Sequence, residues 1–108
     1  MELMTKELES QFVVIGETED TPMEEKKVIA KFFCPSMTWY AIEYDPTDRI
    51  FFGYVRNEGN PQMSEWGYFS LDELEGIQKN QPSPFFMMER DLYFSPKIVK
   101  EIKEILLH

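Results

Sequence analysis

The stretch Val28-Ile-Ala-Lys-Phe-Phe-Cys-Pro-Ser-Met-Thr-Trp-Tyr-Ala-Ile-Glu-Tyr-Asp-Pro-Thr-Asp-Arg-Ile-Phe-Phe-Gly-Tyr-Val-Arg56 decides the fold. Three segments within it, Val28–Cys34, Met37–Tyr44 and Arg49–Arg56, are dense in β-branched and aromatic residues. Such residues fit a pleated, half-buried surface. Pro35-Ser36 and Asp45-Pro-Thr-Asp48 separate the segments with residues suited to tight connections. Three strands joined by short links predict an antiparallel meander, because parallel strands need long crossovers.

Working outward, Asn57–Ser64 holds Gly59 and Asn60-Pro61 and reads as a loop, and Glu65–Phe69 then reads as a fourth strand. Ser70-Leu-Asp-Glu73 has the spacing of a capping box, in which hydroxyl and carboxylate satisfy each other's backbone donors. It opens a short helix ending near Gly76 or Ile77. Gln78–Pro84 is a loop, and Arg90–Phe94 a fifth strand. Ser95-Pro96 then places a capping residue before a first-turn proline. Ile98, Val99, Ile102, Ile105 and Leu106 follow at helical spacing, which predicts an amphipathic helix to about Leu107. Before the meander, Met4–Ser10 reads as a short helix, Phe12-Val-Val-Ile15 as a β-prone run closed by Gly16, and Glu17–Lys27 as a polar loop. The expected fold is a single α+β domain over residues 1–108. It combines an antiparallel sheet of about five strands, a short central helix, and a C-terminal helix packed on one face.

Several of these segments together resemble the domain-of-unknown-function 2958 family. The residues that carry the likeness are Lys31-Phe-Phe33, Pro35, Thr38-Trp-Tyr40, Glu43, Asp45, Phe51-Phe-Gly53, Gly67-Tyr-Phe-Ser-Leu71, Glu73-Leu74, Glu89-Arg-Asp-Leu92, Phe94 and Pro96. They span about residues 28–96. The chain departs from the family pattern at Phe12-Val-Val-Ile15 and at Asn80-Gln-Pro-Ser-Pro84. The resemblance implies a small bacterial protein of plasmids, conjugative elements and phages, and it carries over no catalytic or binding residue.

Composition narrows the function. Twenty Asp and Glu against eleven Lys and Arg leave a net charge of −9, which repels phosphate backbones and argues against direct nucleic-acid binding. No long apolar run exists, so no membrane span is expected, and the N-terminus lacks the pattern of a signal peptide. Cys34 has no second cysteine to pair with, which fits a cytoplasmic setting. It reads as a small buried residue at a strand end rather than a reactive thiol. The one histidine is His108, the last residue, so Ser-His or Cys-His catalysis has little to build on. One Cys and one terminal His cannot form a structural zinc site, and no phosphate-binding glycine loop appears. No cofactor or metal is expected.

Carboxylates and aromatic rings remain. Glu17, Glu19, Asp20, Glu24 and Glu25 make an acidic loop suited to basic side chains. Asp45 and Asp48 flank a turn, where capping is their ordinary role. Trp66 lies among aromatics that strand alternation must partly expose, which makes it a candidate anchor for a protein partner. Arg90 shares a strand face with Leu92 and Phe94, so it needs a carboxylate. Glu43, on the Trp39 face of its own strand, is the expected partner in a structural ion pair. Two functions follow. The first is a non-enzymatic interaction protein of a mobile element, acting as an acidic, DNA-mimicking inhibitor of a nucleic-acid-handling or defence protein. The alternative is a carboxylate-based, metal-dependent enzyme acting on a small polar substrate, which requires three or more convergent carboxylates in a pocket.

Overall fold

The expected antiparallel meander forms in the centre of the chain. The computed structural model describes residues 1–81 and 87–106. Strands β2 (Ala30–Cys34), β3 (Met37–Asp45) and β4 (Ile50–Asn57) form the antiparallel meander, with Ala30 opposite Ala41 and Tyr40 opposite Tyr54. Strand β5 (Glu65–Ser70) adds to β4, and β6 (Glu89–Arg90) adds to the far side of β2. The sheet order is β5-β4-β3-β2-β6.

Successive residues point to opposite faces of a strand. Phe32, Trp39, Ala41, Phe51 and Phe69 therefore share one face, here called inner. Two helices cover it, α1 (Lys6–Ile15) through Leu8 and Phe12, and α2 (Leu71–Lys79) through Leu71 and Leu74. Tyr40, Ile42 and Tyr54 share the outer face, where Val99, Ile102 and Ile105 cover them. Both faces of the sheet are thus occupied. Gly53 lets the two central strands come close: a Cβ there would run into the carbonyl of Tyr40 and lie 3.2 Å from Ala41 Cα.

Three expectations need correction. Phe12-Val-Val-Ile15 is helical, the second half of α1 rather than a β-prone run. Thr5 caps this helix by accepting from Leu8 N–H at 3.1 Å, and Leu8 and Phe12 meet the sheet at a spacing of four. Burial of that pair outweighs the strand preference of Val13 and Val14, which stay exposed.

The C-terminal amphipathic helix from Ser95 does not form among the described residues. Lys97–Ile98 is instead strand β7, paired antiparallel with β1 (Lys27–Val28). Val99 N–H extends that ladder by donating to the Lys26 carbonyl at 2.9 Å, and a 3-10 turn follows at Val99–Glu101. Successive turns then close from Ile102 N–H to Val99 C=O at 2.9 Å and from Ile105 N–H to Ile102 C=O at 3.1 Å. A period of three buries the same apolar residues without an α-helix.

The fifth strand is also shorter than expected. It ends because Asp91 makes a turn, its side chain accepting from Tyr93 N–H at 2.9 Å. Smaller differences refine the rest. α2 runs on to Lys79, capped by Ser70, whose hydroxyl accepts from Glu73 N–H at 2.9 Å. Short 3-10 turns occupy Met23–Glu25 and Pro61–Met63 within the expected loops. The expected loop at Pro82–Pro84 lies outside the described residues, as does His108.

Candidate functional site

An irregularity in β3 builds the site. The register between β3 and β4 shifts between Ala41 and Glu43, so Ile42 is an extra residue facing no partner of its own. A bulge of this kind turns two consecutive side chains towards one face. Ile42 joins the outer core, and Glu43, paired opposite Phe52, is delivered to the outer face beside it.

There Glu43 meets the acidic loop. Thr18 donates to its Oε2 twice, from the backbone N–H at 2.9 Å and from the hydroxyl. Lys26, only 7 % exposed, donates from Nζ to the Thr18 carbonyl and, at 3.0 Å, to the Thr18 hydroxyl. Lys26, Thr18 and Glu43 form a clasp, buried at Thr18 and Lys26, that holds the loop against the sheet. A buried ammonium is tolerable only with such oxygen partners.

Beside the clasp lie two grooves of about 570 and 560 Å³ that share Glu17, Glu43, Phe52 and Tyr68. The first is walled by Glu17, Glu43, Asp45 and Asp48, floored by aromatic and aliphatic side chains, and lined by no Lys, Arg, His or Cys. Glu19 lines the second, together with Lys26. Phe52 and Tyr68 pack at 5.3 Å between ring centroids, and Phe52 stacks on Trp66 at 6.3 Å. Trp66 also meets Tyr54 edge-on at 4.9 Å, which leaves it half-buried. Tyr68 is 77 % exposed. Tyr44 also lines the first groove, and burial pushes its hydroxyl above the usual tyrosine range, which keeps it protonated.

The residues singled out from the sequence are only partly gathered here. Glu17, Glu19 and Glu43 converge, and Trp66 stands behind their aromatic floor. Asp20 is exposed on the turn between them and the rest of the loop. Glu24 and Glu25 sit on the Met23–Glu25 turn, where Glu25 is bound by Lys100 at 2.7 Å and so is less available than expected. Asp45 caps its turn, accepting from Thr47 N–H at 2.9 Å. Cys34 is partly buried against the inner core, as a small apolar residue would be.

The expected ion pair between Glu43 and Arg90 is absent. Arg90 lies opposite Phe32, and Phe32 opposite Trp39, whereas Glu43 lies beyond the end of β2. Arg90 Nε is buried with no hydrogen-bond partner, and no carboxylate among the described residues reaches its guanidinium. Its neighbour Asp91 lies 3.9 Å from Lys31 instead.

Sequence reasoning missed Thr18 and Lys26. Both are polar residues of an apparent loop, and their contacts span many residues of chain, so no local signal marked them. Among the described residues no group of three His, Cys, Asp or Glu side chains lies close enough to hold a metal ion. No helix among them is long and apolar enough to cross a membrane.

The fold and this corner together define a class: an acidic α+β domain whose antiparallel sheet is packed on both faces and carries an aromatic, carboxylate-walled groove at one corner. The chain belongs to the DUF2958 family, since a family model described as "Protein of unknown function (DUF2958)" matches residues 3–101. That match takes in both segments at which the chain departs from the pattern. No curated protein and no solved structure matches the chain.

Proposed function

We propose that this chain is a non-enzymatic docking module for a basic protein, with the groove beside Phe52 and Tyr68 as its contact surface. One observation carries the reading: four carboxylates wall a groove that no cationic side chain lines. Lys and Arg suit both of its components, pairing with the walls and lying over the exposed rings. A partner rich in such groups is one that handles nucleic acid, and this makes the chain an acidic competitor for phosphate-binding residues. A carrier on a mobile element has use for such a competitor against a host defence or replication protein.

The test compares two charge reversals of equal size. Glu17→Lys with Asp48→Lys alters the groove, whereas Glu2→Lys with Glu101→Lys alters exposed positions elsewhere. A labelled, Lys-rich peptide serves as the probe, followed by fluorescence anisotropy. The groove pair should weaken binding at least about tenfold more than the control pair, a difference of about 1.4 kcal/mol. Association should also slow as salt rises, because exposed charges are screened over about 8 Å at physiological ionic strength. Equal losses from both pairs would reduce the acidity to general charge.

A further inference from the structure

β5 is an edge strand, bonded to β4 on one side only. Its backbone phase follows from a single bond. Leu71 N–H donates to the Arg49 carbonyl at 2.9 Å, in line with the β4–β5 register. Antiparallel ladders alternate bonded and non-bonded pairs. The residues opposite Phe51, Gly53 and Val55, namely Phe69, Gly67 and Glu65, therefore bond to β4. Trp66 and Tyr68 turn their N–H and C=O groups the other way, to the open side. Among the described residues no backbone group meets them there.

Proteins blunt such edges by shortening the strand, bulging it, or placing Lys or Pro along it. The opposite edge, β6, has two residues. β5 has six, runs in regular register, and contains no Lys, Arg or Pro. The residues with open backbone groups are also the ones whose rings lie on the outer face with Phe52. On the inner face, nothing lies within 4 Å of where a Gly67 Cβ would stand, which leaves room for a neighbour.

We propose that the basic partner binds β5 as an added antiparallel strand, with Lys or Arg at every second position. The inference rests on the docking reading above and adds to it the conformation of the bound segment. In an antiparallel pair, a residue facing Tyr68 or Trp66 points its N–H at β5 and its side chain to the same outer face. Its cationic head then lies over Tyr68, with the walls formed by Glu17 and Glu43 beyond. A second copy of the chain is the poorer occupant, because each copy carries −9.

The geometry makes a phase-specific test. The probe is a short capped peptide alternating Lys and Thr, made in three forms: unmodified, N-methylated at each Lys, and N-methylated at each Thr. Binding should slow hydrogen exchange at the Trp66 and Tyr68 amides, while Gly67 and Phe69 are protected already. Methylation at Lys should weaken binding at least about tenfold, because those N–H groups face β5, and methylation at Thr should change it less than about threefold. Equal losses from the two patterns, or unchanged exchange at Trp66 and Tyr68, overturn strand addition and leave groove docking standing. No binding by the unmodified peptide at low salt overturns both.

Discussion

The two faces of the sheet are covered by different means. On the inner face, two capped α-helices press Leu8, Phe12, Leu71 and Leu74 onto a belt of aromatic rings. On the outer face, a chain of 3-10-like turns presses Val99, Ile102 and Ile105 onto Tyr40, Ile42 and Tyr54. A helix satisfies its own backbone and can lie across a broad surface. Consecutive turns cover a narrower strip. The outer cover leaves the corner of Phe52 and Tyr68 open, and the acidic loop comes in beside it. The open groove thus lies where the narrower cover of 3-10-like turns stops short, over a sheet that is itself continuous.

The two covers should differ most in what they contribute to stability. Phe12→Ala removes a fully buried ring that meets Tyr44 and Phe51 at 5.8 and 5.7 Å, and should cost about 4 kcal/mol. Ile102→Ala, in an irregular segment better able to settle into the space, should cost about 2–3 kcal/mol. Urea unfolding of the two variants measures both, and a larger loss at Ile102 would make the outer face the main core.

The second effect concerns how the outer cover is fastened. Arg56 donates to the Glu104 carbonyl at 2.7 Å and to Glu58 Oε1 at 3.0 Å, while Thr38 donates to Glu58 Oε2 at 2.5 Å. Partial burial pushes the Glu58 carboxyl up, but these bonds outweigh it and hold the group below the usual carboxylate range. A carboxyl so depressed stabilises the fold above its unfolded value and loses that contribution as pH falls through its folded value. Glu58→Gln should therefore cost about 1 kcal/mol near neutral pH, a figure kept small because the side chain is a third exposed. The deficit should begin to shrink as pH falls below the ordinary glutamate value of about 4.3, and be gone once pH lies below the lowered folded value. Thermal melts of the two proteins across that range check it, and a deficit that persists in acid would assign the effect to packing.

The smallest effect is expected at Arg90. A buried pair with Glu43 would have made its removal cost about 3–5 kcal/mol. With Nε buried and unpartnered, Arg90→Met keeps the aliphatic stem and removes a desolvated donor. The change in stability should stay within about 1 kcal/mol of zero. A loss of several kcal/mol in urea would show that the guanidinium is held more firmly than its Nε suggests.

The central meander was legible because its three segments within Val28–Arg56 are dense in β-branched and aromatic residues and the turns between them are short. What misled at both ends was apolar spacing read without its partners. Phe12–Ile15 has strand composition, yet its helix is decided by a sheet that lies far along the sequence. Ile98–Leu106 has helical spacing, yet pairing of Lys97–Ile98 with Lys27–Val28 draws its first residues into a ladder. Within the candidate site, the acidity of Glu17 and Glu19 and the aromatic character of Tyr68 were visible. The bulge at Ile42 and the Lys26–Thr18–Glu43 clasp were not, because each depends on a register that only the folded sheet defines.

That clasp bears on how quickly the groove can be used. Because Thr18 is bonded to Glu43 from both its backbone and its hydroxyl, and is in turn gripped by Lys26, one carboxylate wall is set in place when the protein folds. An arriving ligand does not have to order a loose loop, so the entropy of doing so is absent from its binding free energy. A basic ligand of the kind proposed would meet a preformed wall, so its rate of encounter would be set by the field of the carboxylates rather than by the waiting time for a loop to close.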